Sequence, residues 1–479
     1  LRVPRAPVAD IQQRDMKKAT WMIGIVVVAV VLAALRLWRV DQYPVVGVDE
    51  GIWNFEARDL VLFGERGMNG FHNVFLSPLH FATGWVLFHF APATCFSMRV
   101  LMGILGMGAL AWVGMLVARY RDGRTAWVAV LLIGFSFVMI TVNRRAYLEG
   151  AVIFLSPMAL LLVDRRRWLH RIAFVVCIAI LLAYKSNAVY LVPALLLPAV
   201  GETRRMIGWR CAALVWGVAI AALLVYLVAR SAPPLAASAM LFELTKWPGP
   251  APLFRMGRFG LSPSAVGNTV RALVVGQTDL VMLTGVAAVG FLALRAWRDR
   301  FALRMALWLL CGYAFFLAQP NHPQYFAPLI VPAGILAALV IVRPGRRALP
   351  AALIAGVAVF SLVRLGIGYR QSLRSNPPAA ALNWLHQQGT GDAPFLAAPE
   401  IVIASRARGY AFNRIFHPLP PLPSPSLLSF IRDHHIRYVI FDDWETAEFF
   451  HDDPAFHAAL AGFRKVGSGE GWVAFDTVR

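Results

Sequence analysis

The chain has 479 residues, 58% of them hydrophobic and 15% charged, with a mean hydropathy of +0.61 and a formal net charge of +20. A soluble domain carries about a quarter charged residues, so a water-soluble globule and an extended disordered chain are both excluded. Cys95, Cys177, Cys211 and Cys311 all fall in or beside apolar stretches and form neither a disulfide framework nor a zinc knuckle. What composition leaves is a polytopic α-helical membrane protein.

The positive charge is not that of a nucleic-acid binder. Residues 370–479 hold 10 Lys+Arg and 11 Asp+Glu, leaving 36 basic and 15 acidic groups in residues 1–369. Basic residues set between apolar spans are what the positive-inside rule describes. The expected organisation is a cytoplasmic tail at 1–20, a transmembrane region at 21–368 with outer loops at 40–97 and 231–277, and an extracytoplasmic α/β domain at 369–479.

The first predicted span is Trp21–Trp38, preceded by Arg14, Lys17 and Lys18. No small-residue cleavage site follows it, so it reads as a signal anchor with its N-terminus in the cytoplasm. The loop after it carries Val48-Asp49-Glu50-Gly51-Ile52-Trp53-Asn54. There Trp53, Ala57, Leu60 and Val61 form one stripe of a short amphipathic helix. Such a helix is expected in the membrane interface, with Arg58 and Asp59 toward water. Ser77–Ala91 is apolar but short and contains His80 and His89; it reads as a re-entrant or interfacial helix on the outer side.

Basic clusters at Arg119–Arg124, Arg165–Arg171, Arg204–Arg210, Arg295–Arg304 and Arg343–Arg347 mark the cytoplasmic turns. Between them, spans are predicted at 98–118, 125–142, 147–163, 171–185, 187–200, 211–230, 278–294, 302–318, 326–342 and 348–365. With the first this makes about 11, an odd number that places the C-terminal region outside the cytoplasm. That region reads as a helix at Ala380–Gln388, a strand at Phe395–Ala398, a Pro-rich joint at Pro418–Pro425, a helix at Ser426–His435, a strand at Arg437–Phe441 and a strand at Trp472–Phe475. Alternating elements of this kind make a small α/β domain.

Ionisable groups near membrane depth are costly and need a reason. On this topology Asp49, Glu50, Glu149, Arg144, Lys185, Arg255, Arg258, His322, Gln324 and Tyr325 all gather at the outer face. A carboxylate there suits a general base acting on a hydroxyl. Arginines and a lysine suit a phosphate, held by charge-assisted bonds where water is scarce. Each group also has a plainer reading: Asp49-Glu50 as a helix cap, Arg144-Arg145 against lipid headgroups, Lys185 snorkelling to the interface. His434-His435 have no third donor at ligand spacing, and Asp442, Asp443, Asp452 and Asp453 read as surface charge.

In their order along the chain these residues resemble the GT-C membrane glycosyltransferases, in the branch of the protein O-mannosyltransferases and the lipid A aminoarabinose transferases. The resemblance covers roughly residues 20–345. It rests on Asp49-Glu50, Ser77-Pro78-Leu79, Ser97-Met98-Arg99-Val100, Ala146-Tyr147-Leu148-Glu149, Ala183-Tyr184-Lys185-Ser186 and Asn321-His322-Pro323-Gln324-Tyr325-Phe326. Glu149 stands where the branch usually has Asp, Gln324 where it has Arg, and Ser77 where aminoarabinose transferases have a cation. The resemblance implies a GT-C fold in a bacterial inner membrane. It also implies inverting transfer of a sugar from a polyprenyl-phosphate donor to a lipid A, polysaccharide or protein acceptor on the outer face. Asp49 would be the base, Glu50 and Glu149 would position it or the substrate, and Lys185, Arg144, Arg255 and Arg258 would hold the phosphate. Arg99, His322 and Tyr325 would line the cavity. Carboxylate and phosphate oxygens suit Mg²⁺ or Mn²⁺, with Asp49 as the ligand in that event. The alternative from another class is a transporter or lipid flippase using the outer charges as its substrate site, which would favour broken spans.

Overall fold

The computed structural model describes residues 8–64, 77–165, 167–197, 204–230, 263–317, 323–342, 348–388, 393–405, 407–411, 427–442, 458 and 460–478. Arg255, Arg258, His322 and the Pro418–Pro425 joint lie outside them.

The membrane region is helical. Its axis is the 26-residue helix Cys95–Tyr120, packed between Val8–Leu37, Gly123–Gly134 and Leu148–Val163. Small residues let its neighbours approach closely, as is usual between helices in lipid. At Gly106 a Cβ would lie 2.0 Å from the Asn143 side chain, so any larger residue would displace that contact. Large apolar side chains remain exposed along Val8–Leu37, Arg204–Arg230, Thr278–Ala293 and Ala348–Arg374, where lipid rather than water is the natural neighbour.

By length and composition five described helices can cross a membrane, or up to seven if each of two bent pairs counts as one span. Met22–Leu37, Leu148–Val163 and Trp168–Tyr184 are apolar but shorter. The segment expected as a span at 187–200 is instead a 3₁₀ turn, Ser186–Leu191, followed by the five-residue helix Val192–Leu196. Pro193 opens that helix at a position where its missing N–H costs no bond.

The bent pairs meet each other. Gly123–Gly134 and Phe137–Asn143 turn by 64° at Ser136, and Thr269–Gly276 and Thr278–Ala293 by 98° at Gln277. Asp279, in the first turn after the second break, accepts from the Ser136 hydroxyl and from the Val138 N–H at 3.1 Å. Backbone groups freed at a break must be satisfied inside the protein, and here one break supplies the acceptor for the other.

After Ala348–Arg374 the helix Pro377–Gln387 leads into a five-stranded mixed sheet in the order β2-β1-β3-β5-β4. Its strands are β1 (Phe395–Ala397), β2 (Gly409–Ala411), β3 (Tyr438–Asp442), β4 (Arg464–Gly469) and β5 (Trp472–Asp476). β1 pairs in parallel with β2 and β3, with Phe395 opposite Tyr438; β5 runs antiparallel to both β3 and β4. Pro377–Gln387 covers one face, around Phe395, Ile440 and Trp472, and Leu427–Asp433 covers the other, around Leu396, Val439 and Phe441.

This sheet unit is fastened to the membrane region through Val48–Phe63. The short helix Pro399–Ala404 lies directly on it; a Cβ at Gly51 would come within 2.3 Å of the Pro399 backbone. Arg58 is fully buried, not turned to water as its helical position suggested. Its guanidinium donates to the carbonyls of Ser405 (2.9 and 3.0 Å) and Ala407 (2.6 Å) and pairs with Asp59. The polar side of the amphipathic helix faces protein there, which no helical period reveals.

Candidate functional site

Asp49 and Glu50 both occupy the first turn of Val48–Phe63, where the helix dipole favours negative charge. Their surroundings differ. Glu50 is fully buried and accepts from Arg99 Nε at 2.8 Å and Nη2 at 2.6 Å, from the Ala146 N–H at 2.8 Å and from the Gly47 N–H at 3.1 Å. Arg99 donates its remaining bonds to the Val40 and Pro44 carbonyls. Burial opposes the charged form of Glu50, but Arg99 outweighs it and holds the carboxyl below the usual glutamate range. Glu50 and Arg99 therefore form a closed clamp joining Val48–Phe63, Cys95–Tyr120 and the turn before Leu148–Val163. Arg99, expected to line the cavity, has its guanidinium taken up by this clamp.

Asp49 is half-buried, and its Oδ2 accepts from Gln324 Nε2 at 2.5 Å. Gln324 belongs to the 3₁₀ segment Pro323–Leu329, whose next residue, Tyr325, carries Lys185 over its ring at 4.1 Å. Lys185 closes the helix Trp168–Tyr184 and pairs with Glu149, itself in the first turn of Leu148–Val163 and buried. A chain of contacts thus runs Asp49–Gln324, Tyr325–Lys185, Lys185–Glu149. Four separate elements converge, three of them through helix ends.

The two adjacent arginines part company. Arg144 engages all three nitrogens on the carbonyls of Leu35, Trp38, Arg39 and Tyr43, at 2.9–3.2 Å. These acceptors lie at the end of Val8–Leu37 and in the turn beyond it. Arg144, expected at a phosphate, thereby has its guanidinium engaged on backbone carbonyls at the end of the first helix. Arg145 donates only to the Tyr147 hydroxyl, at 2.7 Å, among the described residues. It lines a cavity of about 220 Å³ together with Tyr43, Tyr147, Gln277 and Gln324, and no carboxylate among the described residues lines that cavity. A Cβ at Gly47 would come within 3.2 Å of Arg145 Nη1, so glycine there leaves the guanidinium its room. Sequence pattern named Arg144 and not Arg145 for the phosphate; the partners of each separate them the other way.

One further contact was not legible. His80, buried, meets Asn54 Oδ1 at 3.0 Å, and Asn54 donates to the Glu50 and Ala146 carbonyls. The helix Pro78–Phe90 is thereby tied to the one that carries Asp49. No group of three or more His, Cys, Asp or Glu side chains gathers among the described residues. Glu50 and Glu149 are held in ion pairs, so Asp49 with an amide beside it is a thin donor set for the oxygen-rich shell that Mg²⁺ needs.

No protein-family model and no curated protein matches the sequence. Solved structures do match in fold. ArnT from Cupriavidus metallidurans bound to undecaprenyl phosphate aligns over 96% of this chain and 98% of its own, with a TM-score of 0.67 at 16% identity. The apo form of that protein aligns with a TM-score of 0.65 at 14% identity, over the same shares of the two chains. The apo Archaeoglobus fulgidus oligosaccharyltransferase aligns over 96% of this chain and 74% of its own, with a TM-score of 0.56 at 13% identity. Both proteins are GT-C glycosyltransferases, and the fold of this chain is the one they share.

Proposed function

We propose that this protein is a GT-C glycosyltransferase of the bacterial inner membrane. It would move a sugar from a polyprenyl-phosphate carrier to a cell-envelope acceptor on the outer face, with inversion at the anomeric carbon. The observation that carries the reading is the state of the three outer carboxylates. Glu50 is locked to Arg99 and Glu149 to Lys185, whereas Asp49 has an amide for its partner and stands next to the Arg145 cavity.

The acceptor hydroxyl gives its proton to an Asp49 oxygen as its own oxygen bonds to C1 of the sugar. The bond from C1 to the phosphate oxygen breaks, and the electron pair leaves on polyprenyl phosphate. Charge grows on that phosphate, so a cation with unsatisfied donors matters most in the transition state. Arg145 fits that part, with Lys185 supporting from the Glu149 side; Arg255 and Arg258 remain candidates from the second outer loop. Glu50, Arg99 and Asn54 hold the helix that positions Asp49, and Tyr325 borders the acceptor side. No step is assigned to a metal. The fold shared with a protein bound to undecaprenyl phosphate supports the choice of donor class. Lipid A, a polysaccharide and a protein hydroxyl are the acceptors consistent with the reading. The N-terminus would face the cytoplasm and the sheet unit the periplasm.

One observation favours the transporter reading: the two broken helices that meet at Ser136 and Asp279. Purified protein incubated with a panel of polyprenyl-phosphate sugars and crude envelope separates the two. Release of free polyprenyl phosphate, read by mass spectrometry, is expected with one donor. Uptake of an intact lipid-linked sugar into proteoliposomes without its cleavage would overturn the transferase.

A further inference from the structure

At the end of the bundle opposite Asp49 the structure holds a second concentration of charge. Cys95–Tyr120 begins beside Glu50 and, with 26 residues, is about 39 Å long, enough to reach the other membrane surface. There it meets Asp164, which follows Leu148–Val163. Asp164 accepts from Arg304 at 2.5 and 3.0 Å, from Arg210 at 2.6 Å and from the Tyr120 hydroxyl. Arg210 and Arg304 are fully buried. Asp164 thus draws two guanidiniums and a phenol to one point at this end of the bundle.

A cavity of about 500 Å³ opens beside the hub, lined by Arg119, Asp164, Arg165, Arg167 and His170. Arg119 donates to the Asp164 carbonyl at 3.2 Å. Arg165 and Arg167 form no ion pair with any described residue, and the buried His170 Nδ1 has no hydrogen-bond partner there. The helix Trp168–Tyr184 starts at the same place. It has no acidic residue in its first turn and no side-chain cap, so its N-terminal N–H groups add to the positive field. Next to these cations Trp168 and Leu169 are 67% and 59% exposed. A tryptophan beside arginines is the pattern of a helix end at the lipid headgroup level, and basic pockets between helices at that level take anionic headgroups.

We propose that this cavity binds a phosphate group, presented by an anionic phospholipid of the leaflet opposite the Asp49 site. Arg119, Arg165 and Arg167 match the tetrahedral oxygens with forked donors, and His170 completes the ring. Trp168 and Leu169 accompany the glycerol and upper acyl region. The site depends on neither the donor sugar nor the acceptor.

The test uses full-length protein stripped of co-purified lipid in detergent. Native mass spectrometry measures binding of phosphatidylglycerol against phosphatidylcholine, and a parallel arm measures binding of inorganic phosphate. Wild type is expected to prefer phosphatidylglycerol at least tenfold. Arg165→Gln with Arg167→Gln, both exposed and outside the buried hub, should lose that preference. Arg124→Gln, an exposed arginine of the same region that does not line the cavity, should keep it. Binding of inorganic phosphate as tight as that of the lipid, and lost in the same double variant, would keep the phosphate site but assign it a soluble ligand. Equal retention of both lipids by wild type with no phosphate binding, or a double variant that behaves as wild type, would overturn the site.

Discussion

Both ends of the bundle carry a carboxylate among cations, and they differ in how completely that carboxylate is answered. At one end Asp164 receives two arginines and a tyrosine. At the other, Asp49 receives one amide, while its neighbour Glu50 takes the arginine and the backbone donors. A carboxylate with every lone pair engaged fixes helices relative to one another. One left with acceptor capacity beside a cavity can take a proton. Charge alone does not distinguish architecture from chemistry; the number of partners does.

The largest expected effect attacks this contrast at its reactive end. Asp49→Asn should lower sugar transfer by about 10²–10⁴-fold, the usual contribution of a general base, while the unfolding temperature stays close to wild type. Asp164→Asn should do the opposite. With the buried Arg304 guanidinium losing its carboxylate, it should destabilise the protein by about 3–5 kcal/mol, read by thermal unfolding in detergent, and leave the rate per folded molecule unchanged. If the Asp164 variant lost rate and not stability, the division of labour would be reversed.

The arginine pair sharpens the same comparison on a smaller scale. Arg145→Gln should weaken binding of polyprenyl phosphate by about 10–100-fold, in keeping with about 1.5–3 kcal/mol for a hydrogen bond to a charged group. Binding of the uncharged polyprenol should not change. Arg144→Gln, which gives up the carbonyl contacts at the end of the first helix, should lower stability first and affect both lipids alike.

The smallest effect is one of pH. The folded-state pKa of Glu50 lies below its ordinary value because of Arg99, against the penalty of burial. That of Asp164 is lowered too: burial raises it, and Arg304 with Tyr120 and Arg210 more than offsets the rise. Groups of this kind contribute stability above the unfolded carboxylate range and lose it as pH falls toward their folded values. Unfolding temperature should therefore drop on acidification through and below the ordinary carboxylate range. Glu50→Gln should be less stable at neutral pH and show a shallower acid slope than wild type.

Much of this was legible in the sequence, and what was not has a physical reason. Hydropathy and the positions of arginine clusters located most helices, because burial in lipid imposes a long apolar run. They missed the break at Ser136 and the 3₁₀ turn after Lys185, where tertiary hydrogen bonds override an unbroken apolar pattern. In the C-terminal region the strands at 395–397, 438–442 and 472–476 were readable from their β-branched and aromatic residues. β2 and β4, Gly-Tyr-Ala and Arg-Lys-Val-Gly-Ser-Gly, carry no such signal and exist through their neighbours. At the site, the order of charged residues put Asp49, Glu149, Lys185 and Tyr325 on one face, and contacts through Gln324 link them. It did not foresee that Arg58 and Arg144 are absorbed by backbone carbonyls, since a carbonyl acceptor leaves no mark in the sequence.

The most direct measurement is single-turnover release of polyprenyl phosphate from the accepted donor, normalised to folded protein, for wild type, Asp49→Asn and Asp164→Asn side by side. The expected result is release by wild type and by the folded fraction of Asp164→Asn at equal rates, with Asp49→Asn slower by at least a hundredfold. Release by Asp49→Asn at the wild-type rate would contradict the assignment of the base and, with it, the claim that the incompletely answered carboxylate marks the reacting end.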